Sequence, residues 1–122
     1  MTKMLDGIQR QLTGEAPPPP IARLIGFKLT AIKPCEAVVE FEATEAHSNP
    51  MGTLHGGVLC DIADAAMGLA YAANLDDGES FTTLELKINF LKPILESTFA
   101  RRRTGRQTRP YGVTLRKTQP EG

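Results

Sequence analysis

An apolar helix preceded by a glycine-containing loop constrains the fold of this 122-residue chain more than any other stretch. The loop, HSNPMGTLHGG over 47–57, consists largely of turn-forming and backbone-permissive residues. From Val58 onward, apolar residues recur at steps of three and four with no proline among them, which predicts a helix. The turn sequence NLDDG, 74–78, ends it. Because the helix is rich in alanine, other elements can pack closely against it.

Two carboxylates are the only charged groups between residues 56 and 75, Asp61 and Asp64. A carboxylate in so apolar a segment is costly unless it is paired or functional. Gly56 and Gly57 place N–H groups without a neighbouring Cβ at the positive end of the helix dipole, where an oxyanion can bind. Asp64 follows Gly56 by eight residues, about 12 Å along a helix axis, so one carbonyl cannot contact both. An antiparallel second copy of the helix brings the two groups together, so joint action predicts a two-fold dimer.

The loop has the spacing N-x-x-G-x-x-H-G-G beginning at Asn49, and Asp64 follows the histidine by nine residues. This pattern resembles the hotdog-fold acyl-CoA thioesterases of the PaaI type, within the 4-hydroxybenzoyl-CoA thioesterase-like superfamily. The likeness extends from about residue 17 to about residue 97 and includes TTLELKINFLKP after the motif. It implies an α+β hotdog fold, in which an antiparallel sheet wraps around a long central helix.

The resemblance also implies hydrolysis of an acyl-CoA thioester whose acyl group is aromatic or of medium to long chain. Coenzyme A enters as part of the substrate, and neither a separate cofactor nor a metal is implied. The implied assembly is a homodimer or a dimer of dimers.

The resemblance assigns the central chemistry to three residues. Asp64 matches a carboxylate that attacks the thioester or activates a water molecule. Gly56 polarises the carbonyl through its backbone N–H. Asn49 matches an amide side chain that binds the carbonyl or positions the water, although an Asn-Pro turn explains this residue equally well. Asp61 shares a helix face with Asp64, and the register of the motif leaves Asp61 a structural or supporting role.

Two further candidates have alternative interpretations. His55 either places a ring N–H near the carbonyl or braces the loop. Thr83 falls near a family hydroxyl that orients the water, but Thr82 is adjacent and threonine is common in strands. Cys60 is a poor nucleophile candidate because no histidine stands at a suggestive spacing, and the two histidines form no metal-ligand pattern. His47 is expected to be structural.

Periodicity divides the rest of the chain into three parts. Residues 1–20 form an N-terminal helix, over 2–12, and a proline-rich linker. Residues 21–100 form the hotdog domain, with a predicted hairpin of strands 23–33 and 37–43 and a strand at 81–91. Gly26 is a candidate bulge in the first of these strands. Residues 101–122 form an atypical basic tail in which only Tyr111 to Leu115 alternate again.

The tail motivates the expectation that the last strands are missing or altered, and the hypothesis of a truncated or frame-shifted C-terminus. Its run of arginines from Arg101 is interpreted as solvated rather than as a site for coenzyme A phosphates or nucleic acid. A net charge of zero gives no reason to expect nucleic-acid or membrane partners. Two cysteines without a pairing motif, and no signal-type apolar run, suit the cytoplasm.

Two rival functions remain open. One is a non-catalytic, acyl-CoA-binding remnant of the fold, which the atypical tail motivates. The other is hydration or dehydration of enoyl thioesters. The motif typical of such enzymes has a catalytic histidine and a helix carboxylate in another register. The sequence HGGVLCDIAD fits that motif poorly.

Overall fold

The computed structural model describes residues 2–94 and the backbone of residues 111–116. The chain begins with helix α1, Lys3–Thr13, which confirms the predicted N-terminal helix. The Thr2 hydroxyl accepts a hydrogen bond from the Leu5 N–H at 3.2 Å, and Gly14 ends the helix with φ +80°. The backbone N–H of Lys3 donates to Asp77 Oδ1 at 2.8 Å. This last hydrogen bond links the start of α1 to the turn at 74–78.

A short helix, α2, occupies Pro20–Ile25 where the sequence predicted linker and strand. The prediction of a strand starting at residue 23 is therefore wrong for its first residues. Pro20 has the backbone angle that the first helical position needs, and Gly26 ends the helix in a left-handed conformation with φ +93°. Gly26 is thus a helix cap and not the predicted bulge. Ala22 is the buried residue of this helix.

The predicted hairpin is confirmed. Strand β1, Phe27–Lys33, pairs antiparallel with β2, Glu36–Phe41, in a register that sets Phe27 opposite Phe41. The register shifts between Leu29 and Ala31, so the irregularity of the strand lies there and not at Gly26.

A third strand, β3, covers Tyr111–Arg116 and pairs antiparallel with β2. The sheet order is therefore β1-β2-β3, and the alternating residues 111–115 lie within β3. The direction of its side chains, like the arginine run at 101–103, lies outside the described residues.

The predicted long helix, α3, spans Gly56–Ala72 and packs its small apolar face on the sheet. On β2, every second residue is buried, namely Ala37, Val39 and Phe41. On α3, Ile62 and Ala66 are fully buried. Alanine at the contact lets the helix approach the strands closely, so the core lies in the layer between α3 and the sheet. None of the helices within the described residues is both long and apolar enough to cross a membrane.

The prediction of a strand at 81–91 is wrong for the structure as described. The segment carries no strand assignment, and the three described strands pair only with one another. Alternating apolar residues make an extended segment amphipathic, but a strand also needs a neighbouring backbone for its hydrogen bonds. Leu84, one of the alternating apolar residues of this segment, is 94% exposed.

Candidate active site

The loop before α3 is anchored through the ring of His47. Its Nδ1 accepts a hydrogen bond from the Thr44 N–H at 2.9 Å. Nε2 therefore carries the proton and donates to the carbonyl oxygen of Ile25, 2.6 Å away. The ring also meets Phe41 edge to face at a centroid distance of 4.8 Å. Nδ1 thus holds the chain just before His47, and Nε2 joins it to the end of α2, which is the structural role that the sequence predicts.

The side chain of Asn49 closes the next turn of this loop. Its Oδ1 accepts hydrogen bonds from the N–H groups of Met51, at 3.0 Å, and Thr53, at 3.1 Å. Its Nδ2 donates to Thr53 Oγ1 at 2.6 Å. This arrangement is an Asn-type turn, in which the side chain replaces a backbone hydrogen bond. The Asn49 amide therefore binds its own loop, in line with its interpretation as a turn residue rather than as a group that binds the carbonyl or the water.

Helix α3 begins with two glycine N–H groups, and one of the two donates a hydrogen bond within the described residues. His55 is its N-cap residue, and His55 Nδ1 accepts a hydrogen bond from the Gly57 N–H at 3.0 Å. This contact is the bracing role considered for His55. None of the described residues accepts a hydrogen bond from the N–H of Gly56. Gly56 is therefore the residue at this helix end whose N–H is available to a ligand.

The carboxylate of Asp64 lies two turns further along α3. Its Oδ1 accepts a hydrogen bond from the Thr83 hydroxyl at 2.7 Å, and the side chain is exposed. Thr83, and not the adjacent Thr82, is thus the threonine that reaches the acid. No lysine or arginine among the described residues forms a salt bridge with Asp64. The carboxylate is held by a neutral donor, and its second oxygen has no hydrogen-bond partner among the described residues.

Residues 81–94 run beside α3 from its C-terminal to its N-terminal end and contact the predicted site residues Asp64 and Gly56. Four contacts define this path: Phe81 with Tyr71, Thr83 with Asp64, Phe90 with Gly56, and Ile94 with Leu54. The first is an edge-to-face ring pair 5.1 Å apart, and the last is a backbone hydrogen bond of 2.9 Å. The segment thus connects the acid to the start of the helix.

Two cavities lie along this path. A cavity of about 360 Å³ at the start of α3 is lined by Asn49, Gly56 and Phe90, among others. A second cavity of about 290 Å³ includes Thr83 in its lining. Asp64 and His55 line neither cavity, and Asp64 is linked to the second one through its hydrogen bond with Thr83. Because Asp64 follows Gly56 by eight residues on one helix, about 12 Å, a single chain does not bring the acid to the amide. Among the described residues, no group of three histidine, cysteine or carboxylate side chains forms a candidate metal site.

Phe90 is a residue of this region that the sequence did not identify. It alternates with other apolar residues of the segment 81–91, but nothing in that pattern indicated a contact with Gly56, 34 positions earlier. Thr53, the partner of Asn49, carried no sequence signal beyond its place in the loop.

Comparison with known proteins places these features in context. The family model of the thioesterase superfamily matches residues 51–100. A 1,4-dihydroxy-2-naphthoyl-CoA hydrolase of Listeria monocytogenes is 34% identical over 67 residues, which are 55% of this chain and 54% of that protein. The chain spans about half the length of the curated relatives it matches.

Solved structures share the fold. A phenylacetic acid degradation-related protein of Ralstonia eutropha JMP134 is 34% identical, with a TM-score of 0.65 over 73% of this chain and 69% of that one. The E. coli PaaI protein has a TM-score of 0.59 at 21% identity, over 76% of this chain and 65% of that one, and shares the fold alone. These comparisons confirm the α+β hotdog fold and the likeness to the PaaI type.

The bracing role of Asn49 makes a first prediction. Asn49→Ala removes three side-chain hydrogen bonds, and we expect the free energy of unfolding to fall by about 1–2 kcal/mol. Asn49→Asp keeps both acceptor contacts to the backbone and should lose less than half as much. Urea denaturation measures both, with Met51→Ala as the control because that side chain is 83% exposed. Wild-type stability in the alanine variant would contradict the role.

Proposed function

Since the chain belongs to the thioesterase superfamily, we propose that it hydrolyses acyl-CoA thioesters to a free acid and coenzyme A. One observation carries the proposal. The exposed carboxylate of Asp64 is held by the Thr83 hydroxyl, while the N–H of Gly56 at the start of the same helix has no acceptor among the described residues. An acid and an amide donor are the two groups that this hydrolysis requires. The Listeria relative, named as a CoA-thioester hydrolase, supports an acyl-CoA as the substrate.

Gly56 supplies the electrostatic half of the proposed reaction. The thioester carbonyl accepts a hydrogen bond from the Gly56 N–H, at the positive end of the α3 dipole. As the carbonyl carbon is attacked, negative charge develops on its oxygen, and a fixed N–H stabilises that charge without reorganising. His55 and Asn49 support this geometry by holding the loop from which the helix begins.

Asp64 supplies the carboxylate half. In one route it takes a proton from water while the water oxygen attacks the carbonyl carbon. The C–S bond then breaks, and the proton passes to the coenzyme A sulfur. In the other route an Asp64 oxygen attacks the carbonyl carbon, and the C–S bond breaks to release coenzyme A as the thiolate. Water then cleaves the mixed anhydride to the free acid and Asp64, and the proton released passes to the thiolate. In both, the Thr83 hydroxyl at 2.7 Å orients one oxygen, and the other oxygen acts.

The acid and the amide come from different copies of the chain in this proposal. Eight residues separate Gly56 from Asp64, about 12 Å of helix, whereas both groups must lie within about 3 Å of the reacting atoms. Two α3 helices packed antiparallel across a two-fold axis meet this requirement twice per dimer. The exposed apolar side chains of Leu84 and Leu91, 94% and 89% exposed, offer surface that a second copy would cover.

The acid is tested by a pair of aspartate variants. We expect Asp64→Asn to lower kcat by about 10²- to 10⁴-fold, because the amide can neither accept a proton nor attack. Asp61→Asn, a neighbouring exposed carboxylate on the same helix, is the control and should stay within a few-fold of the wild type. Release of free thiol from a panel of aromatic and fatty acyl-CoA thioesters measures the rates. A wild-type chain that binds these thioesters without turnover would contradict hydrolysis and favour an acyl-CoA-binding function.

The amide is tested by two substitutions of Gly56. Proline is well tolerated at the first position of a helix and has no N–H, and His55 already has the extended backbone that precedes proline, with ψ 128°. Gly56→Ala adds a similar Cβ but keeps the N–H. We expect Gly56→Pro to have a kcat about 10²- to 10³-fold lower than Gly56→Ala. Equal rates in the two folded variants would show that the N–H is not used.

The shared site is tested by complementation. A heterodimer of an Asp64→Asn chain and a Gly56→Pro chain has one intact site, built from the acid of the second chain and the amide of the first. Purification through two different tags should therefore yield about half of the wild-type activity from two nearly inactive chains. The two homodimers, purified in parallel, are the controls. A heterodimer no more active than either would place both groups within one chain.

A further inference from the structure

The ring of Phe90 stands at the start of α3, in contact with Gly56. A Cβ built on Gly56 would lie 2.8 Å from Phe90 Cζ and 3.1 Å and 3.2 Å from the two adjoining ring carbons. The tip of the ring therefore fills the space that any other residue at position 56 would need for its Cβ. An apolar ring therefore lies directly beside Gly56, the residue whose N–H is available.

The same ring lines the cavity of about 360 Å³ at this helix end. Leu54, Leu59 and Ile94 also line it, so that most of the wall near the ring is apolar. Phe90 is the only aromatic residue among the described residues of the lining. It is 57% exposed, so a ligand in the cavity can contact the ring.

The position of the ring is held from both sides along the chain. On one side, the Thr83 hydroxyl is bound to Asp64 at 2.7 Å. On the other, the carbonyl oxygen of Ile94 accepts a hydrogen bond from the Leu54 N–H at 2.9 Å. Phe90 lies between these two anchors, so its distance from the helix start is set by the protein before any ligand arrives.

We propose that Phe90 determines which acyl groups the site accepts, because its ring limits the depth of the cavity next to Gly56. The inference rests on the proposed hydrolysis, in which the thioester carbonyl binds the Gly56 N–H. An acyl chain attached to that carbonyl begins beside the ring tip and must pass it. Removing the ring opens room for longer chains, and a larger ring shortens the space further.

The test compares Phe90→Ala and Phe90→Trp across straight-chain acyl-CoA thioesters of increasing length. In Phe90→Ala, kcat/KM for longer chains should rise relative to short ones, by about fourfold for each methylene group that the vacated space buries. In Phe90→Trp the preference should move the other way. An unchanged length preference in both variants, or an equal loss for every chain length, would overturn the assignment.

Glu85→Gln is the matched control. Glu85 lies in the same segment, is exposed and does not line the cavity, so the length preference should match the wild type. A change as large as that of Phe90→Ala would mean that the segment as a whole sets selectivity, and would also overturn the assignment. Thermal unfolding of each variant identifies any loss of folded protein.

Calorimetric binding of the same thioesters separates this inference from the proposed function. If the wild type binds but does not hydrolyse them, hydrolysis is wrong, and a length preference that shifts between Phe90→Ala and Phe90→Trp still supports the role of Phe90. Binding with no such shift overturns that role alone. If the wild type neither binds nor hydrolyses any thioester, both proposals are wrong.

Discussion

The rigidity of α3 is the constraint on which the rest of the site depends. A helix does not bend to bring together residues eight positions apart, so Gly56 and Asp64 stay about 12 Å from each other along its axis. The packing of Ile62 and Ala66 on the sheet removes the remaining freedom, because the helix cannot roll without opening the core. In the proposed hydrolysis, an acid and an amide that act on one carbonyl must then come from two helices. The proposed reaction, with this fold, therefore requires a partner chain.

Residues 81–94 carry Thr83 and Phe90, and the contacts of this segment with α3 fix where the two side chains lie. The segment is fixed to α3 by a ring pair, a side-chain hydrogen bond and a backbone hydrogen bond, and not by pairing with β1, β2 or β3. Thr83 and Phe90 both reach α3 although they lie seven positions apart. In a strictly alternating strand, residues an odd number of positions apart point to opposite faces, so this segment does not alternate as a strand does.

Sequence periodicity predicted the elements whose apolar residues repeat over several turns or strand positions. α3 and the β1–β2 hairpin are of this kind. The alternation of residues 111–115, which follows a segment with no apolar periodicity, lies within β3. α2 was missed because six residues are too few to show a helical period, and its signals were a proline and a glycine that also suit a linker and a bulge.

Contacts between distant residues could not be predicted in this way. The segment 81–91 has the alternation of a strand, but pairing is a property of two segments, and only the coordinates show that the described strands leave this one unpaired. The choice between Thr82 and Thr83, and the contact of Phe90 with Gly56, are likewise tertiary. For Asn49 the sequence left two roles open, and the geometry of its three hydrogen bonds favours the turn.

The polar side chains of the loop before α3 form hydrogen bonds within the protein. The proposed reaction therefore relies on a backbone N–H, and not on these side chains, to bind the substrate carbonyl. His47 binds the chain on both sides of its ring, and Asn49 and His55 bind backbone N–H groups of their own loop. The Gly56 N–H has no acceptor among the described residues, and as part of the main chain it cannot rotate away. Glycine at this position leaves room for the tip of the Phe90 ring, and in the proposed reaction it also allows a carbonyl to approach closely. A larger residue could keep the N–H, but only by displacing the ring.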